Sequence, residues 1–171
     1  GSNLGYGAGN NFGLSNIKTQ YALILNPDIE CDISLFKNIN KLLIKQKKFS
    51  IVGCQYLYDE VFMPAGFFNK KRNKLFQQNF LKKKIKSLTK VDWVTGCSML
   101  INLEKFKDKN IFDDNFFLFF EEFDLCKSIT NKGGFVYSSN ELLVNHLHSK
   151  GSIGSNQNLR TVAIKVRNWH W

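Results

Sequence analysis

A chain of 171 residues with 43% hydrophobic content and 16 phenylalanines can bury a core of its own, which excludes a disordered segment or a fold that depends on staples. Four cysteines (Cys31, Cys54, Cys97, Cys126) are scattered with no C-x-x-C pair, against a zinc site or a disulfide framework and in keeping with a reducing cytoplasm. The net charge is +10, and no apolar run approaches the roughly 20 residues of a membrane span.

In chain order, Gly5-x-Gly7-x-Gly9 reads as a turn and residues 10–15 as a short helix after it. Tyr21-Ala22-Leu23-Ile24-Leu25 is a short apolar run stopped by Asn26-Pro27, which predicts a buried strand. Asp32 is placed to cap a helix whose Leu35, Phe36, Ile39, Leu42 and Leu43 share one face, with Lys45, Lys47 and Lys48 suiting its C-terminal end. Ser50-Ile51-Val52-Gly53-Cys54 is the next buried strand, and strand, helix, strand implies a parallel sheet covered by helices. Residues 90–93 and 98–102 read as strands on either side of Thr95-Gly96. A helix is predicted over 121–131, closed by Gly133-Gly134. Phe135-Val136-Tyr137 and Leu142-Leu143-Val144 read as two further short strands, and Leu159, Val162, Ala163 and Val166 recur at helical spacing.

The charge is unevenly placed. Between Val61 and Val91 there is no acidic residue, while Lys70, Lys71, Arg72, Lys74, Lys82, Lys83, Lys84, Lys86 and Lys90 alternate with apolar Phe67, Phe68, Phe76, Phe80 and Leu81. Such a stretch suits anionic lipid headgroups or nucleic-acid phosphates, or is a solvated excursion.

Three groups of residues are able to carry chemistry. Asp28 follows a buried strand and so falls at the strand's C-terminal edge, where open α/β sheets bind ligands. Asn26-Pro27-Asp28 also serves as a plain turn, and Glu30 is a further oxygen nearby. Glu121, Glu122 and Asp124 put three carboxylates within four residues beside the wall Phe116-Phe117-Leu118-Phe119-Phe120. Crowding and desolvation there raise proton affinity, as a general base needs near neutral pH, although acids also favour a helix start for its dipole alone. His146 and His148 share a side if strand geometry persists, a spacing able to bind metal. Ser149, Lys150 and Ser152 follow them, within reach of a phosphate. Trp93 offers an aromatic face beside Gly96, or fills the core.

In order and spacing, four segments resemble family 2 glycosyltransferases of the rhamnosyltransferase-like kind. They are Asn3-Leu4-Gly5-Tyr6-Gly7-Ala8-Gly9-Asn10, Leu25-Asn26-Pro27-Asp28, Trp93-Val94-Thr95-Gly96-Cys97-Ser98 and Phe119-Phe120-Glu121-Glu122-Phe123-Asp124-Leu125. The resemblance runs from Asn3 to about Trp171; Arg167-Asn168-Trp169 matches a C-terminal helical feature of these proteins. It implies a GT-A-like α/β fold: a doubly wound, mostly parallel sheet with helices on both faces and a small antiparallel addition. Residues 1–171 would form one domain, incomplete at both ends and lacking the family's first, base-holding strand. The implied reaction is inverting transfer of a hexosyl or rhamnosyl unit in polysaccharide biosynthesis. Its donor is a dTDP- or UDP-linked sugar, its acceptor a glycan or lipid-linked molecule, and its cofactor divalent Mn or Mg. By resemblance Gly5, Gly7, Asn10, Asn26 and Asp28 lie at the donor, and Asp28, the last acid of a D-x-D motif in Asn-Pro-Asp form, holds metal with His146. Trp93, Gly96, Glu121 and Asp124 lie at the acceptor. Glu122 takes the place of the family's catalytic Asp. The implied location is cytoplasmic, with peripheral contact at the inner face of the membrane through 67–90 and no nucleic-acid partner. The Glu-for-Asp change and the missing strand keep a non-catalytic, glycan-binding or scaffolding relative as the first alternative, and the basic stretch keeps a nucleic-acid-binding domain as the second.

Overall fold

The computed structural model describes residues 2–58, 61–63, 65–68, 79–80 and 87–147. Most of the basic stretch, His148, the segment Ser149 to Ser152 and the predicted C-terminal helix with Arg167, Asn168 and Trp169 lie outside the described residues.

The elements run α1 (Tyr6–Ser15), β1 (Tyr21–Leu25), β2 (Ile29–Glu30), α2 (Ile33–Lys45), β3 (Ile51–Tyr58), β4 (Val61–Met63), β5 (Ala65–Phe67), β6 (Asn79–Phe80), β7 (Leu88–Val91), β8 (Trp93–Val94), β9 (Ser98–Asn102), α3 (Glu121–Asn131) and β10 (Val136–His146). The main sheet has the order β1-β9-β3-β10-β2, with β4 on β3 and β7 on β10; β6-β5-β8 form a small second sheet.

Local chemistry explains the helices. The Asp32 carboxylate accepts from the Ser34 N–H at 2.8 Å, capping α2 as its sequence predicts. Leu35, Ile39 and Leu42 recur on one face of α2 and are buried, while Phe36 stands 46% exposed. At the end of α3, Gly133 adopts φ +76°, and the Gly133 and Gly134 N–H groups return to Thr130 and Ile129 carbonyls. The α1 helix starts earlier than its sequence suggests. Gly7, Ala8 and Gly9 are inside it, because Asn11 anchors the helix: its amide donates to the Phe112 carbonyl at 2.9 Å and accepts from the Phe112 N–H at 3.0 Å. Tertiary ties override the poor helix propensity of glycine.

Alternation along the strands builds a core on each face of the sheet. Ala22, Ile24, Ile51, Met99, Ile101 and Val136 pack with Leu14 of α1 and with Leu125 and Ile129 of α3. Val52, Cys54, Tyr56, Leu100, Leu142 and Val144 pack on the other face with Leu35, Ile39 and Leu42 of α2. Helices therefore cover both faces, and the α/β class is as expected.

The sheet itself departs from expectation. It is mixed rather than mostly parallel: among the described pairings only β3 with β10 is parallel. Antiparallel β9 lies between β1 and β3, with Leu23 opposite Leu100 and Val52 opposite Leu100 on its other side. β1, β3 and β10 consequently all point one way, and their C-terminal ends share a rim. The two short strands predicted around 135–137 and 142–144 are one strand, β10, with a register break between Ser139 and Leu143.

Candidate functional site

The shared rim gathers the acidic residues singled out in sequence. The turn after β1 is fixed by the Asn26 N–H donating to the Cys97 carbonyl at 2.9 Å. That bond sets Asn26-Pro27-Asp28 beside the Thr95-Gly96-Cys97 loop. β2 then pairs with the end of β10, with Ile29 opposite His146, and the Leu147 N–H donates to the Asp28 carbonyl at 2.8 Å. The outcome is a contact of 3.1 Å between Asp28 Oδ2 and His146 Nε2. Asp28 Oδ1 is enclosed with no hydrogen-bond partner among the described residues. The Tyr56 ring, from the C-terminal part of β3, lies edge-on to His146 at 5.0 Å between centroids.

Glu122 reaches the same loop from α3. Its carboxylate accepts from the backbone N–H groups of Gly96 and Phe120, while Oε2 is enclosed with no partner among the described residues. Desolvation, and after it the charge of Glu121, pushes the Glu122 carboxyl well above its ordinary value. Glu121 is also pushed up, by desolvation. Burial raises the Cys97 thiol, a Thr95 hydrogen bond opposes this, and the charges of Cys54, Glu122 and Asp28 each add to it, in that order. The Tyr56 hydroxyl, likewise raised mainly by burial, also feels Glu122. Thus Asp28, His146 and Glu122, distant in sequence, converge on the Gly96-Cys97 loop.

Two left-handed residues aim α3 at this loop. Phe119 and Phe120 have φ of 69° and 74°, a conformation that costs non-glycine residues about 1–2 kcal/mol each. Anchoring comes from Gly5, whose φ of +100° lets the backbone lie against Phe117, and from the Tyr6 N–H donating to the Phe117 carbonyl at 2.9 Å. The Tyr6 hydroxyl donates to the Gly96 carbonyl, so one tyrosine joins α1 to both segments of the site.

Several sequence-predicted residues serve other purposes. Trp93 is 2% exposed, tilted against Phe123 at 4.6 Å between centroids, and a side chain at Gly66 would meet its ring at 2.7 Å. It is core and offers no face to an acceptor. Glu121 is 4% exposed and equally removed from any acceptor. Asp124 is held above its ordinary value by desolvation first and by Asp113, with Lys127 and Lys132 opposing; these neighbours lie outside the Asp28 cluster. Gly96 is engaged through its backbone, its N–H by Glu122 and its carbonyl by Tyr6. Gly5 and Gly7 pack on Phe117 and Phe112, and the Asn10 amide donates to the Tyr6 carbonyl at 3.0 Å, all within the frame of α1. Glu30 is exposed and accepts from the Asn145 amide at 3.4 Å.

Sequence reasoning missed Tyr6, Tyr56 and Cys97. Tyr56 had a usable signal, an aromatic with a polar tip continuing the alternation of Val52 and Cys54 toward the C-terminal edge of a strand. Tyr6 and Cys97 lie inside segments singled out in sequence, yet nothing local marks their own side chains, since only tertiary contacts bring them there.

This architecture has a counterpart. It is similar to the crystal structure of A197 from STIV, with a TM-score of 0.52 and 13% sequence identity over 84% of this chain. This chain spans 65% of the length of A197, and the likeness concerns the fold. No protein-family model and no curated protein matches the chain. Among the described residues no helix is long and apolar enough to cross a membrane.

Whether the rim suits a divalent cation is decided by its donors. Among the described residues no cluster of three or more His, Cys, Asp or Glu side chains is placed to hold a metal. Asp28 and His146 nevertheless supply an oxygen and a nitrogen 3.1 Å apart, with Asp28 Oδ1 lacking a partner. Mg-type sites that use one or two protein carboxylates, completed by substrate phosphates and water, have this sparse protein complement.

Proposed function

We propose that the chain is a GT-A-like domain of the family 2 glycosyltransferase kind, transferring a sugar from a nucleotide-diphosphate donor to a glycan or lipid-linked acceptor with inversion. The observation that carries this reading is that the Asp28–His146 pair and Glu122 both lie by one loop, Gly96-Cys97. The common direction of β1, β3 and β10 and the helices on both faces support the doubly wound part of the reading.

In the reaction Glu122 takes the proton of the acceptor hydroxyl. The acceptor oxygen bonds to the anomeric carbon, and the bond from that carbon to the diphosphate breaks on the opposite side. The electron pair leaves with the diphosphate. A raised proton affinity at Glu122 suits this step, because a base near neutral pH combines adequate strength with availability. The Gly96 and Phe120 N–H groups orient the carboxylate. Asp28 and His146 would hold Mn or Mg, which supplies positive charge to the departing diphosphate. Tyr56 sets the His146 ring by edge contact, and Tyr6 fixes the loop between the two halves.

The test is Glu122→Ala assayed for transfer and for donor hydrolysis with manganese, in the chain completed by any natural upstream sequence. Removing a general base is expected to lower turnover by about 100-fold to 10,000-fold while donor binding, followed by calorimetry, persists. Unchanged turnover would refute the assignment. The alternative, a glycan-binding relative without catalysis, is favoured by the enclosure of Glu122 Oε2, and glycan binding by the unaltered protein without any hydrolysis or transfer would support it.

A further inference from the structure

The opposite ends of the same strands border a cavity. Between the starts of β3 and β10, the C-terminal turn of α3 and the segment after β9 lies a cavity of about 530 Å³, within the range of small-molecule pockets. Its wall carries Lys48, Lys105, Lys107 and Lys132, against a single carboxylate, Asp108. Asp108 is engaged by its own loop, its Oδ1 accepting from the Asn110 N–H at 3.0 Å. Among the described residues none of the four ammonium groups has a carboxylate within ion-pair distance; the one such contact is Asp28 with His146. Lys90 adds a fifth cation nearby, 4.7 Å from the centre of the Phe135 ring, and Phe135 also lines the cavity. The floor is apolar, from Phe106, Ile111, Leu125 and Ile129.

Cations in excess of carboxylates around an apolar floor raise the local concentration of anions with hydrophobic bodies. The last carbonyls of α3 would oppose an anion, but Ser128, Ile129 and Thr130 carbonyls already accept from Lys132, Gly134 and Gly133 N–H groups. We infer that this cavity binds a phosphate monoester whose other half is apolar or aromatic. The phosphate is held by Lys105, Lys107 and Lys132, and the body rests on Phe106 and Ile129. The inference is independent of the proposed transfer, whose residues occupy the other rim.

The full chain, isotopically labelled, is titrated with phenyl phosphate in the presence of EDTA while backbone amide shifts are followed. The expected shifts fall at Ser50, Lys105, Lys107 and the 129–135 turn, and not around Asp28 or Gly96. Lys105→Ala/Lys107→Ala/Lys132→Ala is expected to weaken binding by about ten-fold or more, since each charge-assisted contact contributes measurably. Lys37→Ala/Lys41→Ala, on the exposed side of α2, is expected to change it less than about two-fold. A second arm measures sedimentation with phosphatidylcholine vesicles, with and without phosphatidic acid, whose headgroup is a phosphate monoester. Vesicle binding lost in the triple variant, with no phenyl phosphate shifts, would assign the phosphate to a lipid headgroup. Absence of both responses, or equal loss in both sets of variants, would overturn the inference.

Discussion

The two ends of this sheet are chemically opposed. At the C-terminal ends of β1, β3 and β10 the groups are acids and a histidine, crowded and largely enclosed. At the other ends they are lysines around an open cavity, none of them paired among the described residues. One helix joins the two: α3 begins at Glu121-Glu122 and ends at the lysine cavity 11 residues later, about 16 Å away. Enclosure makes the acidic end sensitive to proton concentration, because charge there is costly to create. The basic end, facing water, is sensitive to salt instead, because ions screen exposed charges. The difference teaches that one sheet is able to keep two polar sites apart by placing its core between them.

That comparison breaks most readily at the core. Trp93→Ala is expected to cost about 3–5 kcal/mol, measured by urea unfolding, because it removes a buried indole from between Gly66 and Phe123. A cost below about 1 kcal/mol would return Trp93 to the surface and reopen its role as an acceptor platform. Proton linkage is the next largest effect. The folded Glu121-Glu122 pair holds protons more tightly than the unfolded chain, so its contribution is complete below the ordinary value of 4.5. As pH rises from there toward neutrality that contribution is lost, at up to about 1.4 kcal/mol per pH unit for each extra proton held. Glu122→Gln should flatten this decline, and a stability that instead rises with pH across that window would contradict the enclosure of the pair. The smallest effect belongs to Asp28→Asn. Its contact with His146 is partly open to water, so stability should change by less than about 1 kcal/mol while metal-supported donor binding falls. A large loss of stability would make the pair structural rather than functional.

Much of the frame was legible in the residues. The Tyr21–Leu25 strand was bounded by Asn26-Pro27, α2 by Asp32, and α3 by its acids and Gly133-Gly134, all of them local signals. Strand direction was not legible. A run such as Ser98–Asn102, buried at every position, reads alike whether its neighbours run parallel or antiparallel, so the insertion of β9 between β1 and β3 carried no local sign. In the site, Asp28, Glu122 and His146 were legible because carboxylates and imidazoles beside apolar strands demand an explanation. Trp93 misled because an aromatic next to glycine reads the same in a binding loop and in a core; only Phe123 and Gly66 across the fold decide. The lysine cavity escaped notice because Lys48, Lys105 and Lys132 belong to three separate segments that only the folded chain unites.

Gly5 carries a consequence for the history of such chains. A methyl group there would come within 2.1 Å of the Phe117 carbonyl oxygen, and that carbonyl leads through Phe119 and Phe120 into Glu122. Any lineage that keeps a carboxylate aimed at the Gly96 loop must therefore keep this glycine as well, and one that abandons the first is released to vary the second. Paired retention or paired loss of the two positions would show whether the Gly5 backbone and the Glu122 carboxylate are kept as one unit.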